Sequence, residues 1–488
     1  MSDVGEHRAS TALAGRSGLH PDRPDWAASD LPAHRRPLPL LTREAIGRPE
    51  SGRTADRLDH RSHEWAQDQW PGRLGELRER AAALRRETLR DLDGHLDRLT
   101  ARIEEAGGVV HRARTQHEAA DIVARLARDR GVRLALKSKS MVSEEIHLNA
   151  RLESDGVQVV ETDLGEYIVQ LGDERPAHIV APAIHLSRED VAARFSGLEG
   201  GPGRDEDAVT LARFARERLR EDYHHADMGI SGVNFAAADT GTLAIVTNEG
   251  NADLVTSQPP VHVALMTVDK VIPRLSDLGT LVPLLSYAGA HQQVSVSQTL
   301  VTGPRREGET DGPQELHVVI LDGGRRDIVG TRYEEVLTCI RCGACQTACP
   351  VFRTLGGGHA YGSVYGGPIG AVLTPLLSDR PEDRDLPYLS SLCGACGDVC
   401  PVKIPLPDML VDLRADAVQA ASDRKGAASR TAWRMWATAW SSPRGYALSA
   451  TFARAGGRLL PRRWAARLPG LPGGWARGRT MPVTSRAG

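Results

Sequence analysis

Where the sulfur lies constrains this chain more than any other feature. All seven cysteines fall between positions 339 and 400 of the 488 residues, and four crowd into one stretch, CIRCGACQTACP, from Cys339 to Pro350. The spacing is C-x2-C-x2-C-x3-C-P. So dense a set of soft donors either pairs as disulfides or holds metal. No apolar signal-type core opens the sequence, and no apolar run approaches the ~20 residues of a membrane span. A cytoplasmic location is therefore expected, where thiols stay reduced and serve metals or catalysis. The net charge of −2 exerts no general pull toward nucleic acid or an anionic membrane.

Three thiols spaced by two residues let one loop wrap three corners of an iron–sulfur cube, and the proline after the fourth turns the chain away. In this run as bacterial two-cluster ferredoxins use it, the fourth cysteine serves the other cluster. A second motif, SSLCGACGDVCP, aligns by its own Cys-Pro. It sets Cys393, Cys396 and Cys400 opposite Cys342, Cys345 and Cys349, and Ser390 opposite Cys339. The reciprocal rule predicts one [4Fe–4S] cluster on Cys339, Cys342, Cys345 and Cys400. A second would rest on Cys349, Cys393 and Cys396, one ligand short. Ser390 or another oxygen donor could bind the fourth iron; the iron could stay open to water or a partner; or the site could hold [3Fe–4S]. Structural zinc is the alternative use of paired C-x2-C motifs, but four ligands per ion divide seven cysteines awkwardly. The roughly forty residues between the motifs, with GAVLTPLLSD among them, suit helices better than a compact hairpin.

The rest of the chain reads as an α/β protein. Residues 1–60, rich in Arg, Pro, Asp and Ser without periodicity, suggest a disordered extension or a misplaced start codon. Over 61–105, Leu74, Leu77, Ala81, Leu84, Leu89, Leu92, Leu96 and Leu99 recur at helical spacing, a helical lead-in. Across 106–330, short apolar segments alternate with helical ones. GGVVHRA, VRLALKS, VQVVETD, AHIVAPAIH, TLAIVTNEG, VHVALMTV and LHVVILD read as strands. HEAADIVARLARDRG and MVSEEIHLNARLESDG read as helices stopped by glycine, so a largely parallel, helix-covered sheet is expected. Residues 331–415 carry the two cysteine motifs. Over 416–488 no acidic residue follows Asp423, and five of the eight tryptophans lie there (Trp433, Trp436, Trp440, Trp464, Trp475). That basic region suits docking on partner subunits or contact with a membrane surface.

Other residues invite functional readings. KSKSMVSEE follows a strand and opens a helix with Ser143 as a candidate N-cap, so Lys137 and Lys139 could hold a carboxylate or phosphate, or only cap the strand. Asn248, Glu249 and Asn251 stand at a strand's C-terminal end, where α/β sheets place their sites, and Glu249 could be a base or nucleophile, or part of a turn. Glu161, Asp163 and Glu166 form an acidic group. His147, His178, His185 and His262 lie in or beside apolar segments and read as packed side chains. GGGHAYGSVYGGPIG lacks the lysine and hydroxyl of a phosphate loop; His359, Tyr361 and Tyr365 within it could tune a cluster or simply pack.

Taken together, the blocks KSKSMVSEEIHLN, ETDLGEYIVQL, HIVAPAIH, GISGVNFAAADTGTLAIVTNEGN, DGPQELHVVILDGGR and the long stretch from CIRCGACQTACP to GAVLTPLL resemble the lactate-utilisation protein B family, over about 75–480. The resemblance implies a LUD α/β domain, similar to the sugar-isomerase and CoA-transferase-like fold, fused to an α-helical ferredoxin domain. It also implies a cytoplasmic complex with two sister subunits that oxidises L-lactate to pyruvate. In it this chain carries the clusters and passes electrons to an acceptor such as quinone, and the membrane contact read from the basic tail would make the association peripheral. The alternative implied by the CoA-transferase likeness is a LUD pocket that itself acts on a small organic acid or CoA-type substrate. The family's second motif also has three cysteines.

Overall fold

VHVALMT contains one polar residue before its final threonine, and every position of the strand it forms is buried. A continuous buried run of this kind belongs at the centre of a parallel sheet covered on both faces. The computed structural model describes residues 38–48, 52–58, 72–378, 380–420 and 424–459. Six parallel strands make the main sheet: β1 (Val109–Ala113), β2 (Leu134–Lys137), β3 (Gln158–Glu161), β4 (Met228–Gly232), β7 (Val261–Thr267) and β10 (Glu315–Leu321), in the order β1-β10-β7-β4-β2-β3. From β2 the chain passes outward to β3, whereas from β4 it passes the other way to β7 and β10. The neighbours β2 and β4 therefore flank the topological switch point, where doubly wound sheets open a crevice at the strands' carboxyl ends. A second sheet, β8-β5-β6-β9, consists of β5 (Phe235–Ala237), β6 (Thr242–Thr247), β8 (Val271–Ile272) and β9 (Ser297–Val301). Its β5–β6 and β6–β9 pairings are antiparallel. TLAIVTNEG, expected in the parallel sheet, forms β6 of this second sheet.

Helices cover both faces. Preceding the sheet are α1 (Leu38–Ile46), α2 (Arg73–Arg90) and α3 (Leu92–Glu105). On one face α4 (Gln116–Asp129), α5 (Met141–Glu145) and α6 (Leu148–Ser154) pack Val123, Ile146 and Leu152 against Ala135, Val159 and Val263. On the other, α7 (Leu164–Leu171), α8 (Arg188–Phe195), α9 (Ala208–His225) and α10 (Asn251–Ser257) cover the β2–β3 side. There α10 crosses β4 so closely that a Cβ on Gly229 would lie 1.9 Å from the Val255 carbonyl oxygen. The helix expected over MVSEEIHLNARLESDG breaks in two at His147, whose φ of 52° is left-handed.

After α11 (Leu278–Ala290) and β10, the cysteine segment contributes α12 (Ala344–Ala348), α13 (Pro350–Leu355), α14 (Gly367–Leu377), α15 (Ala395–Asp398) and α16 (Leu406–Ala420). The described residues up to Asp416 make one compact unit and those from Ala417 another. Part of the region expected to be a disordered extension is ordered. In α1 and the helical segment 52–58, Ala45 and Leu58 are buried, and Arg53 pairs with Asp190 at 2.9 Å. The other residues of 1–60, and Trp65, lie outside the described residues. In the second unit α17 (Arg424–Trp440) and α18 (Pro443–Leu459) carry Trp433, Trp436, Trp440 and Tyr446 in a ladder of ring contacts at 5.1–5.5 Å, all exposed. Trp464 and Trp475 lie outside the described residues. Among the described residues no helix is long and apolar enough to cross a membrane.

Arg85 on α2 ties the sheet to the cysteine segment. Its buried guanidinium donates to the carbonyls of Val271 (2.8 Å), Leu337 (3.2 Å) and Thr338 (3.3 Å), and to that of Asp269. Replacing it with Met would strand these acceptors, so Arg85→Met should cost about 3 kcal/mol or more, read from denaturant midpoints.

Glu166 in α7 is buried, and burial together with the nearby Glu161 pushes its carboxyl up to about 8. The native state thus holds a proton that the unfolded chain releases near pH 4.3, and stability falls as pH rises from about 4.3 to 8. Glu166→Gln should flatten that fall in a series of thermal melts across the window.

Candidate metal centre

Two loops of like build present the thiols. In the first, a 3-10 turn over Glu334–Thr338 delivers Cys339, Arg341 turns the chain with φ 61°, and Gly343 (φ 80°) opens α12. In the second, Leu392 turns at φ 56° and Gly394 (φ 90°) opens α15. A non-glycine residue in the left-handed region costs roughly 1–2 kcal/mol, and both loops accept it at the same place. Gly343 has a second reason to lack a side chain: a Cβ there would meet Ile179 at 2.8 Å and His178 at 3.1 Å. Cys349 is extended, and Pro350 begins α13, where a missing N–H costs nothing.

The motifs exchange cysteines. Cys339, Cys342, Cys345 and Cys400 line one cavity, with Arg341, Ile179 and Ile404. Cys349, Cys393 and Cys396 line another, with Ser390, Ser391 and Pro407. The seven thiols surround these cavities rather than a point: among the described residues no three His, Cys, Asp or Glu side chains are placed to hold a single ion. Two neighbouring sets of thiols, four about one cavity and three about the other, are a donor set of the kind that holds iron–sulfur clusters. Burial, reinforced by Cys349 and Cys393, pushes the Cys396 thiol up to about 12. Burial likewise pushes Cys400 up to about 11, against an opposing backbone N–H from Ile404. Such thiols ionise when metal displaces their protons.

The surroundings of the two cavities differ. Beside the first lies a buried seam in which Arg325 meets Glu145 at 2.7 Å and Asp269 at 3.0 Å, and Arg341 meets Asp269 at 3.7 Å. Arg341 also stacks on Tyr365, 4.7 Å from its ring centroid, and Tyr365 donates its hydroxyl to Glu145. Lys270 is buried there too; burial, aided by the Arg341 charge, pulls its ammonium down to about 7. Arg85, Arg325 and Arg341 thus outnumber Glu145 and Asp269. The lining of the second cavity carries no charged side chain, and Ser391, Leu392 and Cys393 beside it are exposed.

Several expected sites take other forms. AHIVAPAIH is an irregular loop, not a strand: the Ile179 N–H donates to Gln346 Oε1 at 3.2 Å, and His178 Nε2 lies 3.3 Å from Thr347 Oγ1, so it docks on α12. Ser140, not Ser143, caps α5, accepting from the Ser143 N–H. Lys137 is buried between Glu144 (2.7 Å) and Glu161 (2.6 Å), and Lys139 donates to the Val180 carbonyl at 2.8 Å. Asn248 accepts from the Val296 N–H at 3.3 Å, Glu249 from the Leu164 N–H at 2.9 Å, and Asn251 donates to Thr162 at 3.2 Å. Asp163 caps α7. These polar groups engage one another and the backbone. His262 pairs with Ser231 at 2.8 Å, and burial lowers it to about 3; His185 meets Glu174 at 2.8 Å. Tyr361 packs on Phe352, while the His359 side chain lies outside the described residues. The seam of Glu145, Asp269, Arg325 and Arg341 went unforeseen. Its only advance signal was an arginine inside the cysteine motif.

Comparison with known proteins places this geometry. Residues 96–321 match the LUD domain and residues 335–404 a 4Fe-4S dicluster domain. The chain is similar to lactate utilization protein B of Geobacillus thermodenitrificans, 43% identical over 424 residues that span 84% of this chain and 86% of that one. Its counterpart from Anoxybacillus flavithermus is 46% identical over 365 residues, 75% and 76% of the two chains. A DUF162 family protein from Deinococcus radiodurans, 12% identical, is matched over 47% of this chain and 98% of that one at a TM-score of 0.27, too slight a likeness to add to the argument. With an α/β LUD domain, an iron–sulfur domain and relatives of this identity along most of its length, the chain belongs to the lactate utilization protein B family.

Proposed function

We propose that this chain is the electron-carrying subunit of a complex that oxidises L-lactate to pyruvate. It would hold one [4Fe–4S] cluster on Cys339, Cys342, Cys345 and Cys400 and a second cluster on Cys349, Cys393 and Cys396. The observation that carries the reading is the exchange of cysteines between motifs, which gives each cavity thiols from both. Oxidising lactate releases two electrons and two protons. Bound clusters supply one-electron steps, which suit relaying that pair to an acceptor such as quinone. Bond making at the lactate carbon falls to a sister subunit. The residues of this chain hold the thiols in place and set the charge beside the first cavity.

Anaerobically purified protein should contain iron and sulfide and show broad visible absorbance that bleaches on reduction. It should reduce no dye with lactate until the sister subunits are added. Cys339→Ala and Cys393→Ala should each remove one cluster's iron and abolish lactate-dependent dye reduction by the assembled complex. Zinc in place of iron, or lactate turnover by the chain alone, would refute the reading.

A cation beside a cluster stabilises its more negative, reduced state. Arg341→Leu, which installs the residue type found at 392, should therefore lower the reduction potential of the first cluster and leave the second unmoved. An EPR-monitored redox titration reads both.

A further inference from the structure

The two cysteine loops are related by a shift of fifty-one positions, and the relation extends to the backbone. Arg341 and Leu392 correspond, with φ of 61° and 56°; Gly343 and Gly394 correspond, with φ of 80° and 90°; each glycine opens a short helix. Under this shift Cys339 corresponds to Ser390. The correspondence reaches the donor atom. In the first loop the Arg341 N–H donates to Cys339 Sγ at 3.4 Å; in the second the Leu392 N–H donates to Ser390 Oγ at 3.1 Å. Ser390 Oγ thus occupies the hydrogen-bonding place that a ligand sulfur occupies in the other loop. Ser390 also lines the cavity shared by Cys349, Cys393 and Cys396.

We propose that Ser390 is the fourth ligand of the second cluster, its oxygen bound to the iron that no cysteine reaches. This rests on the cluster reading above and extends it. Among the residues lining that cavity, the side chains carrying oxygen or nitrogen are those of Ser390 and Ser391. Ser391 falls opposite Ile340, which is not a ligand position, so the register selects Ser390. The main chain around Ser390 is anchored, because Arg414 donates to the Ser390 carbonyl at 2.9 Å and to that of Pro387 at 2.8 Å. On binding, the Ser390 O–H bond breaks and an oxygen–iron bond forms. The proton passes to water at the exposed Ser391–Cys393 edge, and no electron is transferred. An oxygen donor is harder than sulfur, which makes one iron of this cluster chemically distinct from the other three.

The test uses the full chain, purified without oxygen, with iron analysis, EPR and Mössbauer spectroscopy. The unaltered protein should show one iron of the second cluster as a distinct Mössbauer site. Ser390→Ala should lose one iron per chain and display a three-iron EPR signal, or keep that iron with an altered site spectrum. Ser390→Cys should retain all the iron and lose the distinct site. If Ser390→Ala changes neither iron content nor spectrum, or if the unaltered protein holds only a three-iron second cluster, the assignment is overturned. Cys393→Ala separates the two levels. Loss of the whole second cluster there, with no effect of Ser390→Ala, leaves the cluster reading standing and removes the serine. A chain without iron removes both.

Discussion

Burying charge is expensive unless the charges answer one another, and this molecule buries several at a single seam. Arg325 and Arg341 pair with Glu145 and Asp269, and Arg85 and Lys270 are buried beside them, where the main sheet abuts the cysteine loop. An unpaired buried ion costs several kcal/mol, so these groups require one another. They come from distant parts of the sequence: α2, α5, the turns after β7 and β10, and the first cysteine loop. The loop cannot take its place without the sheet's carboxylates, nor the sheet end without the loop's arginine. The cationic excess that remains faces Cys339, a suitable neighbour for a set of thiolates.

The pseudo-repeat places the same backbone in two environments. Both loops turn through a left-handed residue and a glycine into a short helix. One then faces the charged seam and is shielded by Ile179; the other stands near the surface among serines and prolines with no charged lining. In the proposed function this asymmetry separates a shielded cluster from one accessible to a partner. The backbone alone would make the two sites equivalent. The side chains at 341 and 392, and the domain packed on only one of them, do not.

The core of the sheet was legible because its signal is local. A run such as VHVALMT, apolar on both faces, has few places to go other than the centre of a parallel sheet. TLAIV carries the same apolar signal but pairs antiparallel with both its neighbours in the second sheet, since strand partners are chosen by packing and not by composition. HIVAPAIH also reads as a strand. Its proline, Pro182, limits ladder pairing, and its amides instead find Gln346 and His178. Lys137 illustrates another limit: a lysine at a strand end beside a helix start suggests an anion site, but Glu161, a strand away, claims its charge.

Sequence by itself determined the ligand chemistry: seven thiols at metal-binding spacing, a serine in register with a cysteine, and the α/β alternation. These depend on residue type and on distances along one loop, which spacing encodes. Only the tertiary structure decided that three arginines gather beside the first of the two cavities, and that Lys137, expected to bind a ligand, is already neutralised by Glu144 and Glu161. Each of these depends on which distant segments meet, and that is settled by the burial of charge and apolar surface across the whole unit.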